Sequence, residues 1–242
     1  MSTHRVGVDI TRRQADAAVL APDGSLVTQA HAPSTDVASI AKLVAGATEL
    51  AGQLNVGVAA DGDFPREELE RRLNRPIRLA PRAACLALSE EVDGSAVADE
   101  VVFAALLGRT ATGGLCVRGR IRARGYVLDS GLNKAGFTGE LGVTVPEVML
   151  RVRFGDAAAT SAFDRYVQRL AQALAEVTET YSPQAIVLGG TIGRLDDLYA
   201  PLTEALIGAL HRGTTRPALR KAAHGDSSVL RGAAALWPVN AQ

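Results

Sequence analysis

The sequence predicts an α/β protein of two lobes, each a mixed β-sheet flanked by helices, and three observations carry that reading. The element order read from hydrophobic spacing (three strands, a helix, a strand, two helices) occurs twice along the chain. A polar, small-residue stretch, DGSAVAD at 93–99, lies between the two occurrences. The length of 242 residues, 47% of them hydrophobic, exceeds one average domain of about 150 residues and rules out a disordered or fibrous chain. The expected division is 1–96 and 97–242, with a closing helix at 226–237 that crosses between the lobes.

HRVGVDI (4–10), ADAAVLA (15–21) and SLVTQAH (25–31) alternate as strands, with PDG at 22–24 as a turn, so the chain opens on a meander rather than a dinucleotide-binding unit. Val37, Ile40, Leu43, Val44 and Ala47 recur at helical spacing within 36–52. LNVGVAA (54–60) reads as a buried strand, and REELERRL (66–73) pairs Glu and Arg at i,i+3 and i,i+4 on a solvated helix at 65–74. After PIRLA a small-residue helix runs from Arg82 to about Glu91. The pattern then restarts with EVVFAALLG, GGLCVRG and RIRARGYVL as strands between glycine turns. A glycine-rich loop at 126–146, a long amphipathic helix at 158–181, a buried strand AIVLGG (185–190) and helices at 194–211 and 226–237 complete it.

Lys+Arg and Asp+Glu balance at 26 each, with three lysines among the cations, so bulk charge offers no argument for nucleic-acid binding. Cys85 and Cys116 lie in apolar runs without a CxxC pattern and are expected as buried, reduced thiols. His4, His31, His211 and His224 show no ligand spacing, and no zinc is expected. No apolar run approaches the roughly 20 residues that span a bilayer, and no signal-peptide pattern opens the chain, so a cytoplasmic protein is expected.

Four segments together resemble the ROK family (repressors, open reading frames and sugar kinases) of the actin/hexokinase-like superfamily. They are VGVDITRRQADAAVLAPDGSLV (6–27), LLGRTATGGLCVRGRI (106–121), GFTGELG (136–142) and SPQAIVLGGTIG (182–193). A fifth, HGDSSVLRGAAALW (224–237), is similar to the family's closing helix. The resemblance implies a two-lobed actin-like, ribonuclease-H-like ATPase fold, with nucleotide phosphates held between the turns of the two meanders. It implies ATP with magnesium as cosubstrate, a sugar, phosphosugar or nucleotide as ligand, and a homodimer. In family repressors a winged helix-turn-helix precedes the first strand; here that strand begins at residue 4, so no direct contact with nucleic acid and no membrane is expected.

Residue by residue, the match is uneven. The family's first strand ends in Asp followed by Gly-Gly-Thr; Asp9 is kept, while Thr11, Arg12 and Arg13 replace the small residues that let phosphate reach backbone N–H groups. In the second turn Gly108, Gly113 and Gly114 are kept and Arg109 stands at the threonine. The family's helix start, Glu-Asn-Asp-Ala-Asn, carries the general base. Here the segment is Ala80, Pro81, Arg82, Ala83, Ala84, and arginine accepts no proton. Glu140 matches a sugar-binding glutamate, but Val143 replaces the histidine after it and the cysteine-rich zinc motif is missing. The sugar-facing hairpin is shortened to DGDFPREE (61–68), while Gly189 and Gly190 keep the adenosine-side pattern.

The residues expected to contact ligand are therefore Asp9, Arg12, Arg13, Gly108, Arg109, Gly113, Gly114, Glu140, Gly189 and Gly190. Asp9 is expected to cap its turn rather than hold a metal. Arg12, Arg13, Arg82 and Arg109 are expected to converge, either binding an anion without metal or pairing with Asp9, Asp61 and Glu140 in an occluded cleft. The resulting functional expectation is a catalytically degenerate, pseudoenzyme member of the family with a ligand-sensing, regulatory or scaffolding role. The alternatives are a diverged ATP-dependent sugar or amino-sugar kinase whose base is Asp61, Asp63 or Glu140, and a non-binding dimer partner of an active paralogue.

Overall fold

A computed structural model describes residues 4–48, 54–122 and 125–237. The strands are β1 (Arg5–Ile10), β2 (Ala15–Leu20), β3 (Leu26–Ala32), β4 (Val56–Ala60), β5 (Ile77–Ala80), β6 (Val101–Leu107), β7 (Ala111–Val117), β8 (Arg120–Ile121), β9 (Tyr126–Val127), β10 (Ala185–Gly189) and β11 (Ala218–Lys221). The helices are α1 (Val37–Thr48), α2 (Arg66–Leu73), α3 (Arg82–Val92), α4 (Lys134–Thr138), α5 (Val145–Arg153), α6 (Ala157–Tyr181), α7 (Gly190–Gly193), α8 (Tyr199–Ala209) and α9 (Ser228–Ala235).

The duplication extends to strand order. The first sheet runs β3-β2-β1-β4-β5 and the second β8-β7-β6-β10-β11, so β1 corresponds to β6 and β5 to β11. In each sheet an antiparallel meander joins parallel strands: β1 pairs parallel with β4, and β6 with β10. Because β1, β4 and β5 are mutually parallel, their carboxyl ends, at Ile10, Ala60 and Ala80, lie along one edge.

One face of the first sheet buries Val6, Val8 and Val58 against Ile40, Leu43 and Leu69 of α1 and α2. Its other face meets α9, and α9 in turn meets α3, which lies on β6 and β7 of the second sheet. This middle layer requires small residues. A Cβ on Gly232 of α9 would stand 1.7 Å from the carbonyl oxygen of Cys85, and one on Gly57 of β4 would stand 1.8 Å from that of Ala233. The far face of the second sheet packs Phe103, Ile186 and Leu188 against Phe163, Leu170 and Leu174 of α6. The Trp237 indole N–H donates to the Val56 carbonyl at 2.9 Å, and Arg78 stacks on the same ring at 4.1 Å. The chain's last described turn is thereby fastened to the first sheet.

Several elements depart from the sequence reading. β5 and β11 were not anticipated; both are four-residue edge strands with half-exposed patterns, too short for alternation to register. RIRARGYVL is two short strands rather than one. The expected loop at 126–146 contains α4 and two 3-10 turns, and α5 precedes the long helix, its start marked by Pro146 in the first turn. The helix expected at 194–211 begins as α8 only at Tyr199, after α7 and a further 3-10 turn. The end of the helix expected at 36–52 falls on residues 49–53, outside those described. Among the described residues no helix is long and apolar enough to cross a membrane.

Candidate active site

The parallel carboxyl ends of β1, β4 and β5 deliver three residues to one place. Asp9 is the penultimate residue of β1, Asp61 follows β4, and Arg82 opens α3 two residues beyond β5. Arg82 donates from Nε to Asp9 Oδ1 at 2.6 Å and from Nη2 to Asp9 Oδ2 at 2.8 Å, a fork-to-fork pair. Its backbone N–H donates to Asp61 Oδ1 at 3.1 Å. The Asp9 side chain is 8% exposed and that of Arg82 20%, so the pair is largely sealed while the guanidinium keeps one edge toward solvent. Burial pushes the Asp9 carboxyl above its ordinary value, against the pull of Arg82.

This corrects the expected role of Asp9 as a turn cap. The β1–β2 turn is closed by Thr11, whose hydroxyl accepts from the backbone N–H groups of Arg13 and Gln14 and donates to the Gln14 carbonyl at 3.0 Å. Arg12 and Arg13 project from that turn exposed and without an ion-pair partner among the described residues. Arg109 is likewise exposed in the β6–β7 turn. Of the four arginines expected to converge on carboxylates, only Arg82 pairs with one of those named.

The second turn divides into two parts. Gly108 has open space around its Cα; its N–H donates to the Thr110 carbonyl at 3.1 Å and its carbonyl accepts from the Lys134 N–H at 2.7 Å. Gly113 and Gly114 lie inside β7, where packing alone already requires glycine. A Cβ on Gly113 would stand 2.3 Å from the Phe103 ring, and one on Gly114 would stand 2.2 Å from the Ala84 nitrogen. Gly114 is what lets the first turn of α3, and hence Arg82, lie against β7. Thr112, on the same face of the strand as Gly114, has a buried hydroxyl without a partner.

At the end of β10, a Cβ on Gly189 would meet Leu86 Cδ2 at 2.5 Å, so this glycine also serves packing. Gly190 turns the chain with φ +79°, and a Cβ there would meet the Leu107 carbonyl at 2.5 Å. The β6 and β10 ends are thus drawn tightly together. Glu140 falls in the 3-10 turn Gly139–Leu141, and its side chain lies outside the described residues.

The resemblance implies a divalent cation at the carboxylate ending β1, and Asp9 does not fit that task here. Both of its oxygens accept from Arg82, and the carboxylate is almost fully enclosed. Among the described residues no three His, Cys, Asp or Glu side chains stand close enough to share one ion.

A second buried carboxylate, Glu90 on α3, is fully enclosed and structural. It accepts from the backbone N–H of Ser95 at 2.8 Å, from that of Ala223 at 3.0 Å and from the Ser228 hydroxyl at 2.9 Å, tying α3 to the start of α9.

Two mixed sheets of matched strand order, flanked by helices, define a two-lobed actin-like fold. The profile of the ROK family matches residues 124–240. N-acetyl-D-glucosamine kinase of Erwinia tasmaniensis is 30% identical over 218 residues, covering 74% of this chain and 72% of the relative. The enzyme of the same name from Pasteurella multocida is 29% identical over 233 residues, covering 79% and 76%. Among solved structures, the ROK hexokinase from Thermus thermophilus superposes with a TM-score of 0.82 at 22% identity, covering 96% of this chain and 97% of that one. The chain belongs to the ROK family.

The expectation of a catalytically degenerate protein is overturned by these relatives. The N-acetyl-D-glucosamine kinases that match about three quarters of the chain, and the ROK hexokinase that superposes on 96% of it, bear the name of sugar kinases.

Proposed function

We propose that the chain is an ATP-dependent sugar kinase that phosphorylates an N-acetylated amino sugar. The observation that carries this reading is its 30% identity to an N-acetyl-D-glucosamine kinase across 72% of that enzyme. The geometry at the ends of β1, β4 and β5 supports it, because a carboxylate still stands beside the start of α3.

That carboxylate is Asp61. Its Oδ1 holds the Arg82 N–H and orients the group, while the residue remains exposed. In this reading Asp61 accepts the proton of the sugar hydroxyl as that oxygen bonds to the terminal phosphorus of ATP, while the bond from that phosphorus to the bridging oxygen breaks and ADP leaves. Asp63, exposed on the same loop, has no comparable anchor. The exposed Arg12, Arg13 and Arg109 offset the charge of the phosphates, since guanidinium groups match phosphate oxygens in shape and charge.

ADP release measured with ATP and N-acetylglucosamine or N-acetylmannosamine tests the assignment. Sugar-dependent release is expected, and Asp61→Asn is expected to lower kcat by about 10²- to 10⁴-fold with KM for ATP little changed. No sugar-dependent release from the wild-type chain would refute the kinase, and an undiminished Asp61→Asn variant would refute the base.

A further inference from the structure

We propose that Arg82 takes the place of a carboxylate-bound divalent cation, so that nucleotide phosphates in this cleft are held by guanidinium groups rather than through a metal ion on Asp9. The kinase reading supplies the identity of the nucleotide; the arrangement itself is read from the residues.

A cation bound at Asp9 would have to reach a buried carboxylate that already holds a cationic side chain on both oxygens. Both oxygens accept from Arg82, at 2.6 and 2.8 Å, and Asp9 is only 6% exposed. A doubly charged ion approaching that carboxylate would also meet the guanidinium at short range in a poorly solvated place, where like-charge repulsion is strong.

Arg82 has capacity left for a ligand. A guanidinium carries five N–H donors, and the pair with Asp9 uses one on Nε and one on Nη2. Nη1 has no protein partner among the described residues, and a fifth of the side chain is exposed. The pair is electrically neutral, so Arg82 offers oriented donors rather than net charge. Net charge comes from Arg12 and Arg13, in the turn directly after β1, and from Arg109 in the corresponding turn of the second sheet. The same substitutions that remove the small phosphate-contacting residues thus supply cations at equivalent positions of the duplicated fold.

Two measurements on the wild-type chain decide the matter without turnover. In water-proton relaxation with Mn²⁺ as probe, no signal that Asp9→Asn abolishes is expected. In displacement of a fluorescent ATP analogue, ATP is expected to bind at least as tightly in EDTA as in magnesium, because EDTA removes only the ion chelated by ATP itself and the phosphates then meet the guanidinium groups with their full charge. Arg12→Ala with Arg13→Ala is expected to weaken ATP by about tenfold or more. Arg82→Ala, which uncovers Asp9, is expected to gain the Mn²⁺ signal; since it also breaks a buried pair, the wild-type results take precedence. An Asp9-dependent Mn²⁺ site in the wild type, loss of ATP affinity in EDTA, or no ATP binding in either buffer would overturn the proposal. ATP binding without sugar-dependent ADP release would instead count against the kinase reading alone.

Discussion

Replacing Arg82 with alanine removes two charge-assisted hydrogen bonds and leaves the Asp9 carboxylate enclosed without a partner. Breaking one side of a fully buried pair costs about 3–5 kcal/mol. Because a fifth of the Arg82 side chain is exposed and water can reach that edge, the lower end, about 3 kcal/mol, is expected. For a chain of this size that corresponds to a fall in Tm of about 6–12 °C. The penalty should shrink toward acid pH, since Asp9, already raised by burial, then takes up a proton and carries no unpaired charge. Urea unfolding of wild type, Arg82→Ala, Asp9→Asn and the double variant isolates the pair: the double variant should be less destabilised than the singles sum to, with a coupling of about 2 kcal/mol. A coupling under about 0.5 kcal/mol would refute the account of Arg82 as a partner held by Asp9.

Glu90→Ala leaves the Ser95 N–H, the Ala223 N–H and the Ser228 hydroxyl without an acceptor, so a loss of about 3–9 kcal/mol is expected in urea unfolding, at about 1–3 kcal/mol per orphaned donor. Gly232→Ala should destabilise by about 2 kcal/mol in calorimetry because the new methyl would overlap the Cys85 carbonyl at 1.7 Å, although helix propensity alone favours alanine by about 1 kcal/mol. The sign of that change therefore separates packing from propensity. Asp36 caps α1 by accepting from the Ser39 N–H at 2.9 Å, and the Ser34 and Ser39 hydroxyls hold its carboxyl well below the ordinary aspartate value. Its contribution should be fully present above the unfolded-state pKa and fade as pH falls through the depressed folded value, so the stability gap between wild type and Asp36→Ala should narrow in acid unfolding series.

The candidate site was only partly legible in the chain. Arg82 was recognisable as a departure at the base position, and Asp61 as a nearby carboxylate, but the sequence reading left Asp9 as a turn cap. That reading rested on local chemistry, an aspartate at a strand end, and Thr11 two residues on was equally able to close the turn and does so. Gly113 and Gly114 looked like phosphate-turn glycines because a close approach by ligand and a close approach by a neighbouring helix or ring select the same residue. The placement of Phe103 and Ala84 shows that the second of these is present here.

Hydrophobic period alone determined most elements that face a core on one or both sides: β1 with its fully buried run, the stripe of Ile40, Leu43 and Val44, and the long face of α6. It also carried the duplication, since buried elements recur in the same order. It did not carry β5 and β11, the matching edges of the two sheets, because an edge strand of four residues with charged positions buries too little to impose a pattern. The Asp9–Arg82 pair lay beyond it as well. Seventy-three positions separate the two residues, and no local period relates them. They meet because β1, β4 and β5 run parallel, so residues remote in the chain leave the sheet at one edge, and because Gly114 and Gly232 are small enough to let α3 settle there.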